Sequence, residues 1–345
     1  MAKSENDTVT FDAQGDILLH VGTDKKPLLV SSKALSLASP VFKAMFDGRF
    51  AEGQNLSPDS PRVLQLLDDA PTPMMTLCSI AHMNTVDLKF APNPVALADL
   101  AILCDRYNCA EAVRGWCQLW VLQLTSQIGV PGYENLILVT YMFDMPEEFH
   151  KVTQKWLCDY SCGSTVFHSD HFVPSNVFGR LFLSLSFTLN CLSIDGVLDL
   201  LSLAQKHYQN QVLAAFYTFA LKNIRADSCL MYEPLLARLM LNLAMVDLWP
   251  LKIYSLSQYR TKARDMMPIL LESKCTKWEC SCTVIEYGTP VDIRKEVLCE
   301  LDEVINSIEG LCLDCIKCEV YGRKEEACRF KHRPHPFELE RVGLL

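Results

Sequence analysis

At 345 residues the chain has material for about two domains, and half of it is hydrophobic against 21% charged, so packed cores are expected. Its net charge of −9 repels phosphate backbones and argues against broad nucleic-acid binding. No basic stretch followed by an apolar one opens the chain, so an intracellular location, cytoplasm or nucleus, is expected. There the 16 cysteines would be reduced, serving as small buried hydrophobes or metal ligands and not as a disulfide framework.

Residues 1–13 are polar, carry no period and are expected to form a disordered tail. Two β-type runs follow, Asp16–Val21 and Pro27–Val30, around a turn built from Gly22, Thr23, Asp24, Lys25 and Lys26. Ser31 and Ser32 then cap an apolar helix. A second start comes at once, with Ser39 as N-cap, Pro40 at the first helical position and Val41, Phe42, Met45 and Phe46 as the apolar face.

After a polar loop, Arg62–Leu67 reads as a strand. Thr72 can cap the next helix with Pro73 at its first position and Met74, Leu77, Cys78 and Ala81 inward. Leu88–Phe90 reads as a short extended piece. Pro94–Tyr107 and Ala110–Leu124 are two helices by apolar spacing, and Asn108 between them suits a left-handed stop.

The order hairpin, helix, Ser-Pro restart and Phe-x-x-x-Phe helix, carried by Gly15–Phe46 and above all by SKALSLASPVFKAMF at 32–46, resembles the opening of BTB/POZ domains. The remaining elements to Leu124 follow the same order. Many animal members have a histidine before the first helix; Ser31 and Ser32 stand in that region here, which looks like the fungal branch. The resemblance implies an α+β BTB/POZ-like domain over 14–126 that binds proteins and has no catalytic centre. It also implies homodimerisation, since the N-terminal strand and first helix supply the surface where such domains usually pair. Some members adapt substrates to cullin-type ubiquitin ligases through a hydrophobic-x-acid motif after the Ser-Pro helix. Phe50-Ala51-Glu52 sits at that position, with Phe50 to fill a pocket and Glu52 to make a charge-assisted bond. The plainer reading is a loop with Phe50 tucked into the domain.

Residues 127–274 read as mainly α-helical, with stripes at Leu136, Val139 and Phe143 and at Phe149, Val152 and Trp156, and with paired helices near Val197–His207 and Val212–Ile224. Leu181–Ile194 is apolar but falls short of the roughly 20 residues that span a bilayer. A buried helix is expected there, and no membrane partner.

Residues 275–345 form a Cys/His-rich module with a helix from Asp292 to Glu309, ended by Gly310. Its soft ligands are Cys275, Cys280, Cys282, Cys312, Cys315, Cys318, Cys328, His332 and His335. Structural zinc takes four such ligands, commonly as two closely spaced pairs. Candidate pairs are Cys280 with Cys282 or Cys275, Cys312 with Cys315, Cys315 with Cys318, and Cys328 with His332; no pairing is unique. Plain reduced thiols are the alternative. Fungal BTB proteins with a helical middle often end in a similar segment, matched here by Gly310–Cys315.

Cys328–His332 also resembles the last half of an RNA-binding CCCH finger, which keeps a nucleic-acid-associated regulator as a further reading, although the upstream cysteine spacing does not fit. Enzyme signatures are missing from the sequence: no P-loop, no GxGxxG after a strand, no HExxH and no GxSxG. His168, Asp170 and His171 form a HSDH run that could be a metal or acid–base set but is better read as a loop-exposed cluster, and Cys158 and Cys162, one helical turn apart, could ligate a metal but are better read as packing or fraying at a helix end. The chain is therefore expected to be a non-enzymatic interaction protein.

Overall fold

The computed structural model describes residues 8–125, 132–159, 194–224, 232–249, 254–267, 293–321, 328–329 and 331–332. The fold is mixed α+β and mostly helical, with a small four-stranded sheet. The chain divides into two compact units. One takes the described residues to Val152 together with Leu313–Lys317; the other takes the remaining described residues from Thr153 onward.

The first unit is built on strands β1 (Val9–Thr10), β2 (Ile17–Val21), β3 (Lys26–Val30) and β4 (Arg62–Leu66), in the order β1-β3-β2-β4. The hairpin β2–β3 forms where the alternation predicts it. Ile17, Leu19, Val21, Leu28 and Val30 all point into the core with no exposed surface. Pairing sets Ile17 opposite Val30 and Leu19 opposite Leu28, and Gly22 turns the chain at φ +76, a conformation that suits glycine. β4 runs parallel to β2 on the other side. β1 lies inside the stretch expected to be a disordered tail: Val9 and Thr10 are β-branched and pair parallel with Leu28 and Leu29, which supplies the order that composition alone did not promise.

Two short helices follow, α1 (Ser32–Ala38) and α2 (Pro40–Phe46). Ser31 holds the N-cap position of α1, but its side chain makes no capping bond. The Asp16 carboxylate does that work, accepting the Ser32 N–H and hydroxyl, each at 2.7 Å. His82 closes the same corner. Its Nδ1–H donates to the Cys78 carbonyl at 2.8 Å, leaving Nε2 to accept the Ser31 N–H at 2.9 Å. Ser39 caps α2 as expected, its hydroxyl accepting the Phe42 N–H.

Helix α3 (Pro71–Ala81) starts earlier than expected. Pro71, not Pro73, takes the first helical position, where its fixed φ suits the turn and its missing N–H costs nothing. Helices α4 (Pro94–Arg106) and α5 (Ala110–Thr125) follow, with Asn108 left-handed between them at φ 48. Leu88–Phe90 is not extended. Val86–Leu88 is a 3-10 turn, and the Leu88 carbonyl accepts the buried Trp120 indole N–H at 3.1 Å in place of a strand neighbour. Buried Asp69 is satisfied by Arg106 and by the Tyr107 hydroxyl. Helix α6 (Asn135–Met142) packs on α4, which places it in the first unit. The two units meet in sequence inside α7 (Pro146–Asp159).

The second unit comprises the end of α7, α8 (Ile194–Ile224), α9 (Tyr232–Met245), α10 (Leu256–Arg264) and α11 (Ile293–Ser307). α8 is a single 31-residue helix, where a pair was expected. Tyr208, Gln209, Asn210 and Gln211 contain neither glycine nor proline, so nothing stops propagation between the two stripes. α10 opens on a full capping box between Ser255 and Gln258. α11 packs against α8 and α10; its Val297 and Leu301 are buried, and Arg260 pairs with Asp302 at 2.7 Å. The last helix among the described residues is α12 (Leu313–Tyr321). The expected buried helix at 181–194 and the HSDH run lie outside the described residues. Among the described residues no helix is long and apolar enough to cross a membrane.

Candidate metal centre

α11 ends at Ser307, and the chain does not become helical again until Leu313. Gly310, Leu311 and Cys312 in that link are buried. Backbone polar groups buried outside a helix need partners, and side chains from far along the sequence provide them. The Leu311 N–H donates to Thr153 Oγ1 at 2.8 Å, the Ile308 carbonyl accepts from Gln154 Nε2 at 2.7 Å, and the Glu309 N–H donates to the Tyr208 hydroxyl at 3.2 Å. Cys312 follows directly, and Cys315 lies in the first turn of α12.

Cys312, Cys315, Cys328 and His332 form a group that could hold a metal ion, with one ligand atom from each lying within 4.8 Å of all the others. Cys312 is fully buried and the other three are half-buried. His332 Nε2 stands 3.3 Å from Cys328 Sγ. A tetrahedral ion with sulfur at about 2.3 Å and nitrogen at about 2.0 Å sets its ligand atoms roughly 3.5–3.8 Å apart. The Cys328–His332 spacing is already close to that, and no separation needs to contract by more than about 1 Å. The N-terminal end of α12, beside Cys312 and Cys315, carries the positive pole of the helix, which favours thiolates.

Of the ligands picked out by sequence, the structure thus brings together the pairs Cys312/Cys315 and Cys328/His332. Cys318 lies one turn further along α12. Cys275, Cys280, Cys282 and His335 lie outside the described residues. Thr153, Gln154 and Tyr208 went unnoticed in the sequence, because the Thr153–Leu311 contact joins residues 158 apart and no local pattern marks it. Away from this group, the thiols of Cys78, Cys104, Cys109 and Cys117 are buried core residues. Burial pushes the Cys78 thiol up to about 12.

The expected partner-binding residues sit on the first unit. Phe50 is 55% exposed and leads into the 3-10 turn Ala51–Gly53; it is not tucked into the domain. Glu52, in that turn, is half-buried. Gly53 makes the turn possible, since a Cβ there would stand 2.7 Å from the Gly48 nitrogen. Leu37 on α1 is 90% exposed.

Compared with known proteins, the chain matches no protein-family model, and no curated protein matches its sequence.

Proposed function

We propose that this chain is a non-enzymatic protein-interaction scaffold whose first unit acts as a BTB/POZ-like module and self-associates. The observation that carries the reading is the arrangement of that unit. A β2–β3 hairpin feeds the α1–α2 pair through the Ser39-Pro40 restart, β4 returns parallel to β2, and α3, α4 and α5 complete the core. This is the element order that the resemblance implies, apart from the 3-10 turn at Val86–Leu88 where a strand was expected. Leu37, 90% exposed on the first helix, lies on the element where the resemblance implies that such domains pair. Size-exclusion chromatography with light scattering tests it: a concentration-dependent dimer is expected, and a clean monomer at high micromolar concentration sinks the self-association.

In the same reading, zinc fills the Cys312, Cys315, Cys328 and His332 group as a structural ion. Four protein ligands complete its tetrahedron and leave no open position for catalysis. Elemental analysis of the purified full chain tests this directly.

A second reading, favoured by the exposure of Phe50, is a substrate adaptor for a cullin-type ubiquitin ligase. Co-purification with the cullin scaffold, lost in the double variant Phe50→Ala with Glu52→Ala, would support it. Binding that survives both changes would remove the motif from consideration.

A further inference from the structure

We infer that Thr153, Gln154 and Tyr208 are positioning residues for the metal centre, presetting Cys312 by gripping the backbone of the two residues before Gly310 and the one after it. This rests on the metal reading above and deepens it.

The grip is specific in its chemistry. Thr153 offers an acceptor to Leu311, Gln154 a donor to Ile308 and Tyr208 an acceptor to Glu309, so backbone groups on both sides of Gly310 are taken by side chains from α7 and α8. Thr153 is fully buried, as is Cys312, and Leu311 between them is 1% exposed. Water does not compete there, and the Leu311 N–H has a fixed direction. One peptide unit separates that N–H from Cys312, so the position of the thiol follows from the grip. A ligand constellation must be held to about 0.5 Å to bind well, and supporting groups outside the ligand shell commonly change affinity by about 10- to 100-fold. The three side chains do not belong to the ligand group; they act through the backbone that carries a ligand.

Cobalt(II) is the probe, because its visible bands report a tetrahedral thiolate site directly. The full chain would be stripped of metal, reduced and titrated, with helical content followed by circular dichroism. Thr153→Val keeps the shape and removes the acceptor; Thr153→Ser keeps the hydroxyl; Tyr208→Phe removes the second acceptor independently. The expected result is a 10- to 100-fold loss of cobalt affinity in Thr153→Val and Tyr208→Phe, with altered band positions, and recovery in Thr153→Ser. If Thr153→Val fails to fold, Tyr208→Phe decides. Wild-type affinity and spectrum in the variants that fold would overturn the positioning role while leaving the metal site standing. A wild-type chain that develops no tetrahedral cobalt spectrum would overturn both.

Discussion

The Ser39 hydroxyl donates to the Tyr107 carbonyl at 2.6 Å while accepting the Phe42 N–H at 3.0 Å, so one buried oxygen starts α2 and ties it to the end of α4. The junction is reinforced by rings: Phe42 stacks on Tyr107 with centroids 4.4 Å apart and on Phe46 at 5.8 Å. Aspartate equals serine as an ordinary N-cap, but here it would turn an acceptor-only carboxylate toward a carbonyl. Ser39→Ala should cost about 1–3 kcal/mol, from the lost cap and the unsatisfied Tyr107 carbonyl. Ser39→Asp should be no better than Ser39→Ala. Urea unfolding of the three proteins checks this, and a Ser39→Asp chain as stable as wild type would contradict the dual role.

Leu37 sits on the surface, so changing it should act on association and not on folding. Leu37→Lys is expected to alter stability by no more than about 0.5 kcal/mol, as for surface substitutions generally. If the first unit self-associates through α1 as proposed, Leu37→Lys should nevertheless shift the chain from dimer to monomer. Light scattering read alongside the melting temperature separates the two effects. A dimer unchanged by Leu37→Lys would move the self-association surface away from α1.

The buried thiols give a pH dependence with a definite sign. Burial raises Cys78 to about 12. A hydrogen bond with Cys109, followed by burial, raises Cys104, and burial raises Cys117. A thiol whose pKa is higher folded than unfolded holds its proton more tightly in the folded state. Its contribution is complete below the unfolded value of about 8.5 and is lost as pH climbs toward the folded one. The urea midpoint should therefore hold steady from neutral pH to about 8.5 and decline above it. Cys78→Ala should start lower, from the lost packing, and decline less steeply. In thiol labelling under native conditions, exposed Cys299 should react long before Cys78, Cys104 or Cys117. Early labelling of Cys78 would show that the core opens locally.

What could be read in advance was local. The hairpin, the Ser39-Pro40 restart, the Asn108 stop and the span of α11 each follow from signals within a few residues. Where contacts at long range decide, the sequence was silent or misleading. β1 exists because Leu28 and Leu29 offer it an edge, and the Leu88 carbonyl turns to Trp120. α8 runs unbroken where two amphipathic stripes suggested two helices. The metal candidates divide in the same way. Short spacing singled out Cys312 with Cys315 and Cys328 with His332, but equally offered Cys315 with Cys318 and Cys280 with Cys282. Among the described residues, the fold brings the ligand atoms of the first two pairs within 4.8 Å of one another. The grip of Thr153 on Leu311 has no local signature at all.

That selection of ligands is itself testable. If Cys312, Cys315, Cys328 and His332 complete a tetrahedron, the remaining candidates are dispensable to it. Cys315→Ser, Cys328→Ser and His332→Ala should each reduce bound zinc from one ion per chain to nearly none, measured by elemental analysis after mild chelator washing. Cys280→Ser, Cys282→Ser and Cys318→Ser should each retain the full ion. Because the ligands come from separate segments, metal binding should also be linked to folding, so stripping the wild-type chain should lower its melting temperature. The same treatment should leave the Cys328→Ser chain unmoved, since that chain has no ion to lose. Zinc retained by Cys328→Ser but lost in Cys280→Ser or Cys282→Ser would move the centre to a different ligand set.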